Sequence, residues 1–152
     1  MNTDLMPYIA RTYRETHERL LGLAAALSED ELRRAQPNGH SIAFELWHLA
    51  RWADHLQAAI ATMTPELARR LGVRTQIWEA AEIAQAWGFA PELLGYEQTG
   101  MLMGDDAAAS LPLPRKAALL AYLRRAFAAA EEAVGAVDAG QFVAAERRSG
   151  DD

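Results

Sequence analysis

The chain has 152 residues, the size of one domain, and its hydrophobic share of 51% comes mainly from alanine and leucine, both strong helix formers. A formal net charge of -6 argues against a nucleic-acid partner, which needs a basic face, and the absence of cysteine removes disulfides, thiolate metal sites and cysteine catalysis. The polar start and the lack of any run of about 18 apolar residues predict no signal peptide and no membrane span, hence a cytoplasmic protein.

The first helix is expected from about Asp4 to Leu27, with Pro7 in its first turn and an apolar stripe Ile9, Tyr13, Thr16, Leu20, Leu23, Leu27. His17 lies beside that stripe among Arg14, Glu15, Glu18 and Arg19, and reads as a solvated or boundary residue. Ser28-Glu29-Asp30-Glu31 has the form of a capping box and opens a short connector turn.

The chemistry-bearing stretch follows. Pro37, Asn38 and Gly39 make a turn and Ser41 is a good N-cap. From there Ile42, Leu46, Leu49, Ala53, Leu56, Ile60 and Met63 form the core stripe of an amphipathic helix of about 23 residues, ending near Thr64-Pro65. Residues 38–55 hold three of the four histidines and two of the four tryptophans. Beside the core stripe runs a row Glu45, His48, Trp52, His55, and beyond it a row Trp47, Arg51, Asp54 whose spacing suits an ion pair.

Pro65 to Arg74 is expected as a solvated basic turn, and Gln76 to Trp87 as one short helix closed by Gly88, with Ile77, Trp78, Ala81, Ala84 and Trp87 on one apolar side. Gly88 to Leu113 is rich in glycine and proline and reads as a long irregular segment, with Tyr96 to Met101 suited either to a pocket lid or to a short extra helix. The last clear helix spans about Arg115 to Val137; residues 141–152 are expected as a flexible tail or the start of a missing segment. The expected fold is all-α: an up-and-down helical bundle in a single domain over 1–140, with a long irregular loop before the last long helix.

Ser41 to Asp54, read as SIAFELWHLARWAD, resembles the second helix of the DinB/YfiT-like superfamily, and Thr99-Gly100-Met101 resembles a turn that one branch carries before its third long helix. The resemblance implies a four-helix-type bundle around a divalent metal (zinc, nickel or iron) bound by three histidines. His48 matches the ligand on the second long helix. The other two ligands form a His-x-x-x-His pair on a C-terminal helix, and no histidine follows His55 here. The chain is therefore expected either to be shortened or to belong to a member that has lost its metal. Some members are thiol-dependent transferases or isomerases.

Residue chemistry points the same way. Catalytic zinc takes three protein ligands and an open position. His48 with Glu45 supplies at most two, and His48 and His55 stand two turns, about 10 Å, apart. His17 or a partner chain would have to complete a set.

Two kinds of function follow. One is a divalent-metal-dependent, thiol-using transferase or hydrolase with His48 on the metal and Glu45, Arg51 and Asp54 orienting ligands. The other is a non-catalytic small-ligand-binding or dimerising bundle, its pocket lined by Trp47, Trp52, His48 and the Met101 loop. A homodimer is expected, because three long helices leave an apolar seam to cover; a small molecule or low-molecular-weight thiol is the expected ligand, with neither nucleic acid nor membrane as partner.

Overall fold

The computed structural model describes residues 4–37 and 39–149; Asn38 of the expected turn and the last three residues of the expected tail lie outside them. Three long helices dominate: α1 (Met6–Ala26), α3 (Ile42–Met63) and α8 (Lys116–Gly135). Between them run α2 (Glu29–Arg33), α4 (Pro65–Leu71), α5 (Ile77–Ala80), α6 (Ile83–Trp87), a 3₁₀ turn (Pro91–Leu93) and α7 (Asp105–Ala109), and the chain continues into α9 (Ala139–Ser149). The all-α bundle is as the sequence predicts.

Local chemistry sets the boundaries. Ser28 and Glu31 exchange reciprocal capping bonds, with Ser28 N–H donating to the Glu31 carboxylate at 2.7 Å and Glu31 N–H to Ser28 Oγ at 3.1 Å. Ser41 Oγ accepts from Phe44 N–H at 3.1 Å and opens α3. Thr64 closes α3 and at once caps α4, accepting from Leu67 N–H at 3.1 Å with Pro65 behind it. The stretch expected as a basic turn is thus partly helical. Glu66 pairs with both Arg69 and Arg70 one turn on, and Arg70 also reaches Asp138 at 3.0 Å.

The packing order is α1, α8, α3. Lys116 Nζ donates to the carbonyls of Ala25 and Leu27 while His17 meets Glu131, so α1 and α8 run antiparallel. Tyr122 meets Asp54, and Ile60 packs with Val134, so α3 and α8 run in the same direction. The segment from α4 to α7 makes that possible by carrying the chain back along the bundle. The core between these helices is closed by Leu119, Leu123, Ala126 and Ala130 of α8 against Leu46, Trp47, Ala50 and Ala53 of α3. The alanines let the two backbones approach closely. The side of the bundle between α1 and α3, opposite α8, has few close backbone approaches.

The helix expected over 76–87 is broken. Glu82 takes a left-handed conformation (φ 49°) between α5 and α6. In one continuous helix Trp78 and Trp87, nine residues apart, would stand about half a turn out of phase. The break brings them together instead, ring centroids 5.8 Å apart, on Phe89 and Tyr122. Residues 141–149 of the segment expected as a flexible tail or the start of a further one belong to α9, whose start is capped by Asp138 accepting from Gln141 N–H at 2.9 Å. Hydrogen bonds from Gln141, and then the Arg70 guanidinium, hold the Asp138 carboxyl below its usual range.

Candidate functional site

Arg51 is the centre of the polar interior. It is 1% exposed, and all five of its N–H donors are used. Nε donates to the Gln98 carbonyl at 2.8 Å; Nη2 donates to the Glu97 carbonyl at 3.1 Å and to Gln76 Oε1 at 2.8 Å. Nη1 donates to Asp54 at 3.3 Å and to Tyr122 Oη at 3.1 Å, and the guanidinium lies over the Trp78 ring at 4.8 Å. Asp54, fully buried, also accepts from Tyr122 Oη at 2.9 Å, Gln57 at 3.2 Å and the backbone N–H groups of Ile77 and Trp78 at 2.8 Å each. Burial, more than the neighbouring charges, pushes the Tyr122 phenol far up, so it stays a neutral donor.

This network fixes a loop. Glu97 and Gln98 both have positive φ (49° and 53°), a conformation costly for residues with a Cβ, and Arg51 holds their two carbonyls. The next carbonyl, that of Thr99, accepts from His48 Nδ1 at 2.5 Å. A carbonyl only accepts, so Nδ1 carries the proton, and the imidazole tautomer that this contact selects is the one with Nε2 bare. Gly100 completes the fit at φ 88°: a Cβ there would lie 2.7 Å from the Trp47 ring and 3.2 Å from His48 Nδ1. Gly100→Ala is expected to lower stability by about 1–3 kcal/mol and to loosen the Thr99–His48 bond. Urea denaturation beside the His48 ring ¹⁵N shifts measures both.

The half-buried His48 is thus the exposed end of a relay running Asp54, Arg51, loop, imidazole. Trp52 stands edge-on to it (6.4 Å), and Tyr96 stacks on Trp52 (6.3 Å). Other expected members are elsewhere. Trp47 is fully buried beneath the loop against Phe44, Trp78 and Phe89, so it lines no pocket. Glu45 turns away to His40 Nδ1 at 3.2 Å, and Asp105 stands 3.6 Å from the other His40 nitrogen. His55 Nδ1 lies 3.5 Å from Gln76 Nε2. The Arg51–Asp54 ion pair forms as the spacing predicts, but it orients the loop and α5.

His17 corrects the sequence reading outright. It is 4% exposed, stacked flat on Phe127 (3.7 Å, 8°), with Nδ1 2.8 Å from Glu131 Oε1. Of its hydrophilic sequence neighbours, Arg14 reaches the same Glu131 carboxylate at 4.0 Å, and that carboxylate is far away in the chain. Burial lowers its pKa against the opposing pull of Glu131. The folded state therefore binds the proton less well than the unfolded chain, and stability falls as pH drops below about 6.5, the unfolded histidine value. We expect the melting temperature to fall between pH 7.5 and 5.5 more steeply in the native protein than in His17→Gln; equal slopes would refute this.

The family model of the DinB superfamily matches residues 12–149. The chain belongs to the DinB superfamily. No curated protein and no solved structure matches it. DinB membership makes a metal the first group to test against these residues. Among the described residues no three or more His, Asp or Glu side chains converge to hold an ion. Among the described residues the buried side-chain polar atoms left without a partner, Trp47 Nε1 and Arg74 Nε, are N–H donors and offer a cation nothing. At this corner the bare Nε2 of His48 has the character of a ligand, its other nitrogen being anchored as metal-binding imidazoles require; His17, anchored on Glu131 between α1 and α8, stands apart from it. The described residues supply one ligand, not a shell.

Proposed function

We propose that this DinB-superfamily chain serves a divalent-metal-dependent transferase or hydrolase as the holder of one imidazole, His48. The remaining donors come from a substrate and from a second copy related by a two-fold axis at the His48 corner. The observation that carries this reading is the Thr99 carbonyl on Nδ1, which fixes the tautomer and aims Nε2 as a ligand. Tyr96 (52% exposed), Met101 (44%) and Leu102 (84%) surround the corner with apolar surface suited to self-association. Two facing copies would bring two His48 rings to one ion. The chain has no cysteine, so any thiol used is a low-molecular-weight one, at hand in the reducing cytoplasm where we place the protein. Among the described residues no helix is long and apolar enough to cross a membrane.

The second reading is a non-catalytic bundle that binds a small ligand, and the donor count favours it. Zinc titration of the native chain and His48→Ala, with mass measured by light scattering, separates the two. Metal dependence predicts about one ion per two chains, binding lost in the mutant, and dimer formation driven by zinc. Equal uptake by both proteins, or none by either, would leave the binding bundle.

A further inference from the structure

The His17–Glu131 pair takes no part in the His48 corner, yet it has the form of a built site. His17 lies in the wall of a cavity of about 340 Å³ on the open side between α1 and α3, lined otherwise almost wholly by hydrocarbon, with Tyr13, Leu20, Leu49, Trp52 and Phe127 among its walls. The ring cannot turn: Phe127 stacks on one face, the Tyr13 ring packs against it at 4.1 Å, and the Glu131 carboxylate holds Nδ1. An ionised carboxylate accepts only, so Nδ1 carries the proton and Nε2 is an acceptor. No group among the described residues meets Nε2. The imidazole is 96% buried, and its Nε2, which makes no hydrogen bond to the described residues, is left open to a cavity with room for one or two fused rings.

Those features select a ligand. An anion is disfavoured, because the Glu131 carboxylate stands against the ring, with the exposed Arg14 guanidinium at 4.0 Å on its far oxygen, and the neutral ring offers an anion no donor. A strongly hydrated cation loses its water to walls of hydrocarbon. A flat, neutral ring bearing one O–H satisfies both the aromatic walls and the imidazole acceptor, while the Thr16 hydroxyl, also in the lining, already donates to the Thr12 carbonyl. We propose that this groove is a binding site for a phenol-class aromatic hydroxyl, its O–H donating to His17 Nε2 while its ring packs between Trp52 and Leu49 of α3 and Tyr13 and Leu20 of α1. It shares only the Trp52 ring with the His48 corner and does not depend on metal.

Calorimetric titration of the 152-residue protein with 2-naphthol and with 2-methoxynaphthalene tests this, since the second probe keeps the rings and lacks the donor. The expected result is one saturable site, with 2-naphthol bound about tenfold more tightly, the ratio one hydrogen bond of ordinary net strength produces. His17→Phe keeps a flat ring on Phe127 and should abolish the difference between the probes. Should that variant fail to fold, the ring ¹⁵N spectrum of the native protein decides, because 2-naphthol must shift the unprotonated nitrogen of His17. Equal affinities, no saturable binding, an unmoved His17 nitrogen, or a preference that survives in His17→Phe would each overturn the proposal. A groove covered by a second copy would show as a dimer with no saturable site, and that too overturns it.

Discussion

Asp54→Ala is expected to be the most damaging conservative-sized change in the polar interior. Asp54 accepts five hydrogen bonds and, among the described residues, is the only carboxylate within salt-bridge distance of Arg51, which is itself 1% exposed. Removing one member of a buried ion pair leaves the other charge uncompensated, at a cost of about 3–5 kcal/mol. A domain of this size has only about 5–15 kcal/mol in total, so the variant should be close to unfolding at ambient temperature. Two further losses compound the charge term. The first turn of α5 loses its anchor, since Ile77 and Trp78 both donate to Asp54, and Tyr122 loses the acceptor for its phenolic proton. Pairing the change with Arg51→Met separates these effects: if charge burial dominates, the double variant is less destabilised than the sum of the singles in urea denaturation. Strict additivity would show that Asp54 acts mainly as a helix cap.

Trp47→Ala should cost about as much by a different route. Trp47 is fully buried, meets Phe89 edge to face and Phe44 and Trp78 at a tilt, and carries Gly100 on its ring. Truncating a buried tryptophan to alanine typically removes about 3–5 kcal/mol through lost burial and a residual cavity. Trp47→Phe is expected to be much milder, because the indole N–H has no partner and its loss leaves no group unsatisfied. Denaturation of the two variants side by side checks this, and a Phe variant as unstable as the Ala variant would mean the N–H is engaged after all. Both positions act on His48 without touching its reactive nitrogen: Asp54 holds the Arg51 guanidinium that grips the loop carbonyls, and Trp47 supports the loop from beneath.

The helix bearing His48 was legible because its information is local. Ser41 marks the start, Thr64-Pro65 marks the end, and the spacing of Arg51 and Asp54 gives the ion pair. The remainder of the site is made by residues distant in sequence. Nothing near Arg51 announces that its other partners are Gln76, Tyr122 and the carbonyls of Glu97 and Gln98. The break at Glu82 follows from the demand that Trp78 and Trp87 share one core, which appears only when Phe89 and Tyr122 are in place. His17 was misread because its neighbours along the chain are charged while its neighbours in space, Phe127 and Glu131, belong to α8. The non-local links are the ones that single-sequence periodicity does not carry.

The relay from Asp54 through Arg51 and the Thr99 loop exists, in this account, to present His48 with Nε2 bare. Long-range ¹H–¹⁵N correlation of the imidazole rings at neutral pH tests that directly. The expected spectrum shows His48 protonated at Nδ1 and unprotonated at Nε2, with the Nε2 resonance alone moving strongly on addition of zinc. A ring protonated at Nε2, or one whose nitrogens do not respond to zinc, would contradict the account and leave His48 as a hydrogen-bonded strut between α3 and the loop.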